Sequence, residues 1–551
     1  MRIRKRDNLK KKNCAIVLLF LLPLIGFGAY ASFLLYILND IASFTYHLEP
    51  PNTEHFTPEE DIDMDILSQQ AHFYEAQLEK WHLPANISVD VTFKNHSYNE
   101  IDNWHGTDNG NLHVGFSLLA ETHRYKWALK NNKEEELENA TRTIKKLVTA
   151  FSNFIAAPNG GLGINPETGE WYPGTLSRFA VPPGYEDVHP FMFEDHPRHF
   201  NGTGDYKNWR VRLHTSRDEL AGFYIGTACV LKHVDPNQDD ESKWIWNRVK
   251  LIVSQLIEGF KRTNWLIIGA EGEGGEGTPC GSDLNAYGEG STWQLALLRI
   301  GATADPDAYD SLYHYSATKM LGMGNAVMGS PQNVVESTYA LSFGMAVEYS
   351  LILLEDNEDL RYHYIKNFEE RFYDYVRYHR NNFYNMVHLV FMELIDSGKA
   401  LQFEDPDYKD DTIAWDILDN LWRFYTSGWD KGVRNYNLTD RPHSTRSTSL
   451  NPEIREKERV PNKKKWRDFF ENNPYGALYR WVYEEDLFDF SEEKEQYLLP
   501  LTVSEYGIHH WVWEHSKFND EGGNPTGDGL SQAAPNSFLA IYWMGKAYNI
   551  F

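Results

Sequence analysis

The chain has 551 residues and carries 53 Lys+Arg against 79 Asp+Glu, a formal charge of −26 at pH 7. So acidic a chain repels polyanions, which excludes nucleic acid as the principal partner. A hydrophobic share of 42% and a charged share of 24% are ordinary for a folded globular protein, whereas the 14% aromatic share suits both packing between helices and the lining of a sugar site.

The first 13 residues form a basic tail with Arg2, Arg4, Lys5, Arg6, Lys10, Lys11 and Lys12 opposed only by Asp7. From Cys14 to Leu38 no residue is charged, a run of 25 that is long enough as a helix to cross a hydrocarbon core of about 30 Å. Residues 14–38 are therefore expected to be an uncleaved transmembrane signal anchor, with the basic tail cytoplasmic and everything after it extracellular or lumenal. A cleaved signal peptide competes with this reading, but its apolar region is usually about 7 to 15 residues. Residues 39–65, acidic and containing Pro50 and Pro51, read as a spacer before an ectodomain spanning 66–551. Beyond the tail and anchor, 46 cationic side chains face 78 anionic ones, a net of −32.

Five sequons, at Asn86, Asn95, Asn139, Asn201 and Asn437, lie on the expected non-cytoplasmic side. Of three cysteines, Cys14 sits in the anchor, so Cys229 and Cys280 allow at most one bridge and the fold is no disulfide scaffold.

Apolar residues recur at three- and four-residue spacing through Asn111 to Leu129, Leu137 to Ile155, Glu219 to His233, Trp244 to Phe260, Trp293 to Ile300, Ser337 to Leu354, Tyr362 to Tyr378, Ile413 to Tyr425 and Phe538 to Tyr548. Alternating strands are scarce, and Ile87 to Phe93 is the best of them. The fold class is mainly α. Helices with charged faces, such as Glu134 to Phe154 and Glu358 to Arg377, are expected to have one side in solvent. Others, such as Ser216 to Leu231, Ser291 to Leu298, Glu336 to Leu351 and Asn536 to Tyr542, are apolar nearly all round and must be buried. Alternation of the two classes fits a ring of helical hairpins whose inner helices open on one mouth.

At this point the sequence resembles the six-hairpin glycosidase-like superfamily of alpha/alpha toroids. The likeness is carried by Trp104 to His113 (WHGTDNGNLH), Thr215 to Gly226 (TSRDELAGFYIG) and the closing segment Gly527 to Tyr548. It implies an alpha/alpha toroid at the level of the fold, and fold alone does not fix function.

Five groups of residues are candidates for chemistry. Asp108, before an apolar helix, is either an N-cap or a general acid or base in a cavity, with Trp104 and His105 beside it as sugar contacts. In Arg212 to Glu219, Ser216 with Glu219 or Thr215 with Asp218 has capping-box spacing, yet Arg217, His214 and Asp218 are costly to bury without a purpose. There Arg217 and His214 would grip a carboxylate or hydroxyls, and Asp218 would be a catalytic carboxylate. Glu336 heads another buried helix as a third candidate. The glycine-rich stretch Gly269 to Ser291 holds Glu271, Glu273, Glu276, Asp283 and Glu289, which read as a solvated acidic loop or a calcium site without EF-hand spacing. In Tyr506 to His515 (YGIHHWVWEH), His509, His510, Trp511 and Trp513 are either sugar-binding residues or core; zinc spacing is lacking. The stretch 427–467, with eleven Lys+Arg against five acids, reads as a polar loop.

No phosphate-binding loop, serine-hydrolase elbow, zincin helix or dinucleotide fingerprint is present. The expectation is a membrane-anchored carbohydrate-active enzyme outside the cytoplasm, a glycoside hydrolase with paired carboxylates among Asp108, Asp218 and Glu336, a glycan or glycoconjugate as substrate and no required cofactor. Two alternatives stand: a non-catalytic glycan-binding or structural surface protein, and a lyase or epimerase on uronic acids.

Overall fold

The computed structural model describes residues 62–268, 279–284, 290–319, 338–373, 376–395, 410–426, 457–459, 495–497, 503, 511–514 and 530–551. The expected anchor at 14–38, nearly all of the spacer, and most of the basic stretch 427–467 lie outside them. No helix among the described residues is long and apolar enough to cross a membrane.

The described part is mainly helical, as the periodicity predicts. Helix α1 (Met64–Trp81) begins where the Asp63 carboxylate accepts from the Asp65 and Ile66 N–H groups, so the end of the expected spacer belongs to it. Strands β1 (Asp90–Phe93) and β2 (Ile101–His105) follow, antiparallel, with Val91 opposite Trp104. Then come α2 (Gly110–Lys130), α3 (Glu134–Asn159), and strands β3 (Phe179–Val181), β4 (His199–Asn201) and β5 (Arg210–Arg212), which make a small sheet with β5 in the middle. Helices α4 (Arg217–His233) and α5 (Asp240–Arg262) precede the hairpin β6 (Leu266–Ile268) and β7 (Pro279–Asp283). The chain continues through α6 (Gly290–Ala304), α7 (Pro306–Lys319), α8 (Thr338–Leu354), α9 (Glu358–Phe368), α10 (Asn382–Leu394) and α11 (Asp410–Thr426). A short hairpin, β8 (Lys457–Arg459) with β9 (Glu495–Tyr497), precedes β10 (Ser531–Gln532), which adds to β1, and α12 (Asn536–Tyr548) closes the chain.

Even- and odd-numbered helices differ in the way their sequences foretell. Helix α2 is buried almost continuously from Gly110 to Tyr125, and α4 from Glu219 to Leu231. Helix α3, by contrast, exposes Glu134, Glu135 and Glu138 and buries Ile144, Leu147, Val148 and Phe151. The buried helices pack on one another: α4 on α2, α6 and α8 on α4, α10 on α8, and α12 on both α10 and α2. The amphipathic helices lie against them: α3 on α2, α5 on α4 and α6, α7 on α6, α9 on α8, α11 on α10, and α1 on α12. Each fully buried Leu, Ile, Val or Phe contributes about 1.5–3 kcal/mol.

Gly115 and Gly222 bring α2 and α4 into backbone contact, because a Cβ on either would overlap the other helix's main chain. The two helices run parallel: Gly115 meets Gly222 near their starts, and His123 meets His233 near their ends, with ring centroids 4.7 Å apart. The starts of α8 and α10 also meet, Ser342 Oγ lying 3.2 Å from the Tyr384 hydroxyl. Helices α1, α7 and α10 lie outside the stretches singled out by periodicity, although α1 buries Leu67, Ala71, Tyr74 and Leu78 at helical spacing. Cys229 is a buried free thiol.

Candidate functional site

The polar residues that precede α2 and α4 are drawn together by one guanidinium. Arg178, just before β3, donates from Nε to the His214 carbonyl (2.6 Å), from one terminal nitrogen to the Asp108 carbonyl (2.5 Å) and from the other to Ser216 Oγ (2.6 Å). The start of α2 is thereby tied to the start of α4. The Ser216 hydroxyl donates to one oxygen of Asp218, and the Tyr339 hydroxyl donates to the other at 2.5 Å. Tyr339 is the second residue of α8 and is 36% exposed, so the Asp218 carboxylate is held between the starts of two buried helices, beside an open surface. Burial, followed by the charges of Asp218, Glu514 and Glu219, drives the Tyr339 phenol far above its ordinary value, keeping it a donor.

Asp108 sits at the same place. Its carboxylate pairs with Arg212 and keeps 59% of its side chain exposed, while Arg212 is buried and donates to Thr107 Oγ1 at 2.9 Å. The capping reading of Asp108 is corrected here: the N-cap of α2 is Asn109, whose own side chain makes no cap bond.

The capping boxes expected at α4 do not form either. Ser216 is the N-cap but bonds Asp218, and Glu219 reaches across to α2. Its Oε2 accepts from the backbone N–H (2.9 Å) and the side-chain amide (3.0 Å) of Asn111, whose amide also donates to the Ser177 carbonyl. Glu219 thus caps the neighbouring helix. Complete burial pushes its carboxyl up to about 8, against the pull of Arg178 and the Asn111 donors, so it is protonated at neutral pH.

The remaining candidates divide. His214, half-buried beside these residues, has a left-handed backbone with φ 71°, and burial and then the charges of Arg198 and Arg178 lower its pKa. Arg217 opens α4 beside it. Trp104 is half-buried in β2, donates its indole N–H to the Trp81 carbonyl at 3.0 Å and packs on Tyr185 and His189. His105 is exposed, with Nε2 2.6 Å from Thr92 Oγ1.

Trp511 and Trp513 are core residues in this structure, with no exposed ring face to offer a sugar. Trp511 stacks on Phe116 with centroids 3.7 Å apart, and Trp513 donates to the Ser537 carbonyl. The Trp513 carbonyl also accepts from Ser342 (3.0 Å) and Asn381 (2.6 Å), so the turn 511–514 floors the helix starts.

Glu336, His509, His510, Asn437, Glu271, Glu273, Glu276 and Glu289 lie outside the described residues, and Asp283 is in β7. Among the described residues no group of three or more His, Cys, Asp or Glu is placed to hold a metal. Of the sequons, Asn95 and Asn201 are exposed, Asn86 is half-buried, and Asn139 lies inside α3 with Thr141 buried.

Sequence reasoning missed Arg178 and Tyr339 and gave Glu219 a local role. No family model matches the chain, and neither does any curated protein or solved structure.

Proposed function

We propose that the chain is a single-pass, membrane-anchored carbohydrate-active enzyme, an alpha/alpha toroid whose inner helices α2, α4, α6, α8, α10 and α12 open on one mouth, where a glycoside hydrolase uses paired carboxylates. The observation that carries the reading is the placement of Asp218. It is fixed on both oxygens by hydroxyl donors from Ser216 and Tyr339, at an open surface where the Asp108 carboxylate is also exposed.

Hydrolysis of a glycosidic bond needs one carboxyl to protonate the leaving oxygen and another to attack the anomeric carbon or to take a proton from the attacking water. Asp218, immobilised by two donors, is suited to the second role, since a base or nucleophile works only in a fixed position. Asp108 and Glu336 are the carboxyls assigned to the first. Glu336 precedes α8 by two residues and Tyr339 by three. The hydrophobic run 14–38 would hold this mouth outside the cytoplasm, in reach of surface or lumenal glycans.

The test is reducing-end release from a panel of glycans by the detergent-solubilised full chain. Asp218→Asn is expected to abolish release without changing the melting temperature, and Asp108→Asn or Glu336→Gln to reduce it at least a hundredfold. Full activity of Asp218→Asn would overturn the assignment, as would specific glycan binding by the wild type with no turnover.

A further inference from the structure

Three guanidinium groups, those of Arg178, Arg198 and Arg212, lie close together at the mouth, in a chain whose net charge is −26. Arg178, Arg198 and Arg212 meet at one end of the small sheet: the Arg178 N–H donates to the Arg212 carbonyl (2.8 Å), and the Leu213 N–H to the Arg198 carbonyl (2.9 Å). Among the described residues Asp108 is the carboxylate paired with this trio, and it pairs with Arg212 alone. The donors of Arg178 go to two carbonyls and a hydroxyl, all neutral, so its charge stays uncompensated by direct contact.

Two buried polar atoms in the same place also lack partners. Among the described residues, Arg212, 4% exposed, has no acceptor for its Nε, and Thr215, also 4% exposed, has no partner for its Oγ1. Buried groups of this kind normally find partners, and one that does not calls for a reason such as a bound molecule or water. The left-handed backbone of His214, between Arg212 and Thr215, is a further cost kept at this position. Burial lowers the pKa of the Arg212 guanidinium most; Asp108 opposes it, and Arg178 and Arg198 add smaller lowering contributions that place both guanidinium groups near it.

We infer that the mouth takes an anionic sugar residue, one bearing a carboxylate or a sulfate, with the anion seated on the Arg198 and His214 side of Asp108. This rests on the carbohydrate reading above and adds the substrate class. Half-buried guanidinium groups bind a planar carboxylate through paired N–H donors, which a neutral sugar does not offer them. Asp108 already occupies the Arg212 guanidinium, so the anion falls to those of Arg178 and Arg198.

The test measures binding separately from turnover by using Asp218→Asn in full-length protein. Polygalacturonate, hyaluronan, alginate, the carboxyl-reduced form of each, dextran sulfate and neutral dextran serve as probes in affinity electrophoresis. Tight binding is expected for at least one uronate polymer or for dextran sulfate, with at least tenfold weaker binding of its uncharged counterpart. Preference for a uronate identifies the anion as carboxylate and preference for dextran sulfate identifies it as sulfate. Arg198→Gln in the same background is expected to lose at least tenfold in affinity for the charged polymer with an unchanged melting temperature. Arg198→Lys, which keeps the charge, is expected to lose less. Equal binding of charged and neutral polymers, no binding of any charged polymer, or no effect of Arg198→Gln would overturn the inference. Release of sugar from neutral dextran by the wild type, lost in Asp218→Asn, would then leave the hydrolase reading standing alone.

Discussion

The two ends of the buried helices both carry polar clusters, and they are built on opposite plans. At the starts, Arg178, Asp108 and Asp218 are partly exposed and charged, and the neutral Tyr339 phenol and the Ser216 hydroxyl link them. At the far ends, the fully buried His123 and Tyr349 sit together with the half-buried His233 and Tyr548. His123 Nδ1 lies 2.7 Å from the Leu119 carbonyl and its Nε2 3.1 Å from the Tyr349 hydroxyl. Burial, followed by the charge of Lys126, takes the His123 imidazole down to about 3, and His233 falls well below its ordinary value from burial and from His123. A polar cluster is thus no site by virtue of its residue types. What separates the ends is access and ionisation: at one the titratable groups are buried and held neutral, at the other carboxylates and guanidinium groups stay charged beside an open surface.

The largest expected effect lies at the open end. Asp218→Asn should lower turnover about a thousandfold while leaving the denaturation midpoint unchanged, because its carboxylate holds no helices together beyond two hydroxyl bonds. If the same substitution instead destabilised the fold and spared turnover of the remaining folded protein, the two ends would be alike and the comparison would fail.

Next comes Arg124, on the far half of α2. It is buried and bonds Glu136 (2.7 Å), Glu75 (3.0 Å) and Glu121 (3.3 Å), while Glu75 also accepts from the Trp543 indole at 2.6 Å. Arg124→Met strands three carboxylates around one empty position and should cost about 3–5 kcal/mol in urea denaturation. Turnover per folded molecule should not change. A tenfold loss of turnover with little loss of stability would place function at the sealed end.

Smaller again is Tyr339→Phe. It removes one of the two donors to Asp218 without leaving a cavity, so turnover is expected to fall about tenfold, roughly 1.4 kcal/mol, with melting within a degree of wild type. Measuring this variant beside Ser216→Ala would show whether the two donors act as a unit.

Much of the helical layer could be read in the sequence, and the site only in part. Period-3.6 patterning locates α2, α4, α5 and α12 within a few residues, and all-round apolarity separates the buried helices from the amphipathic ones, since a helix cannot hide its polar faces. Arg178 left no such mark. It stands before a three-residue strand, and its three bonds run to residues 36 to 70 positions away. Glu219 was misleading for a specific reason: three residues after Ser216 it has the spacing of a capping box, and only the proximity of Asn111, forced by the glycine contact between α2 and α4, redirects it. Trp511 and Trp513 look like sugar platforms because aromatic residues serve cores and sites equally, and sequence spacing does not say which ring face is covered.

The last contrast between the ends is in their response to pH, where the two clusters should pull stability in opposite directions. Glu219 has a folded pKa of about 8 against an ordinary 4.5, so the folded state holds a proton that the unfolded chain releases; this stabilisation is full below about 4.5 and is lost as pH rises through 8. His123 has a folded pKa of about 3 against 6.5, so the unfolded chain binds the extra proton; here stability is full above about 6.5 and is lost as pH falls toward 3. Each group acting alone gives a slope of at most about 1.4 kcal/mol per pH unit inside its own window. Urea midpoints of wild type, Glu219→Gln and His123→Phe at half-unit steps from pH 4 to 9 separate them. Glu219→Gln should flatten the decline on the alkaline side only, and His123→Phe the decline on the acid side only. Identical wild-type and Glu219→Gln profiles above pH 6 would mean that Glu219 titrates normally, and the buried bridge it makes to Asn111 would no longer distinguish the open end from any other helix start.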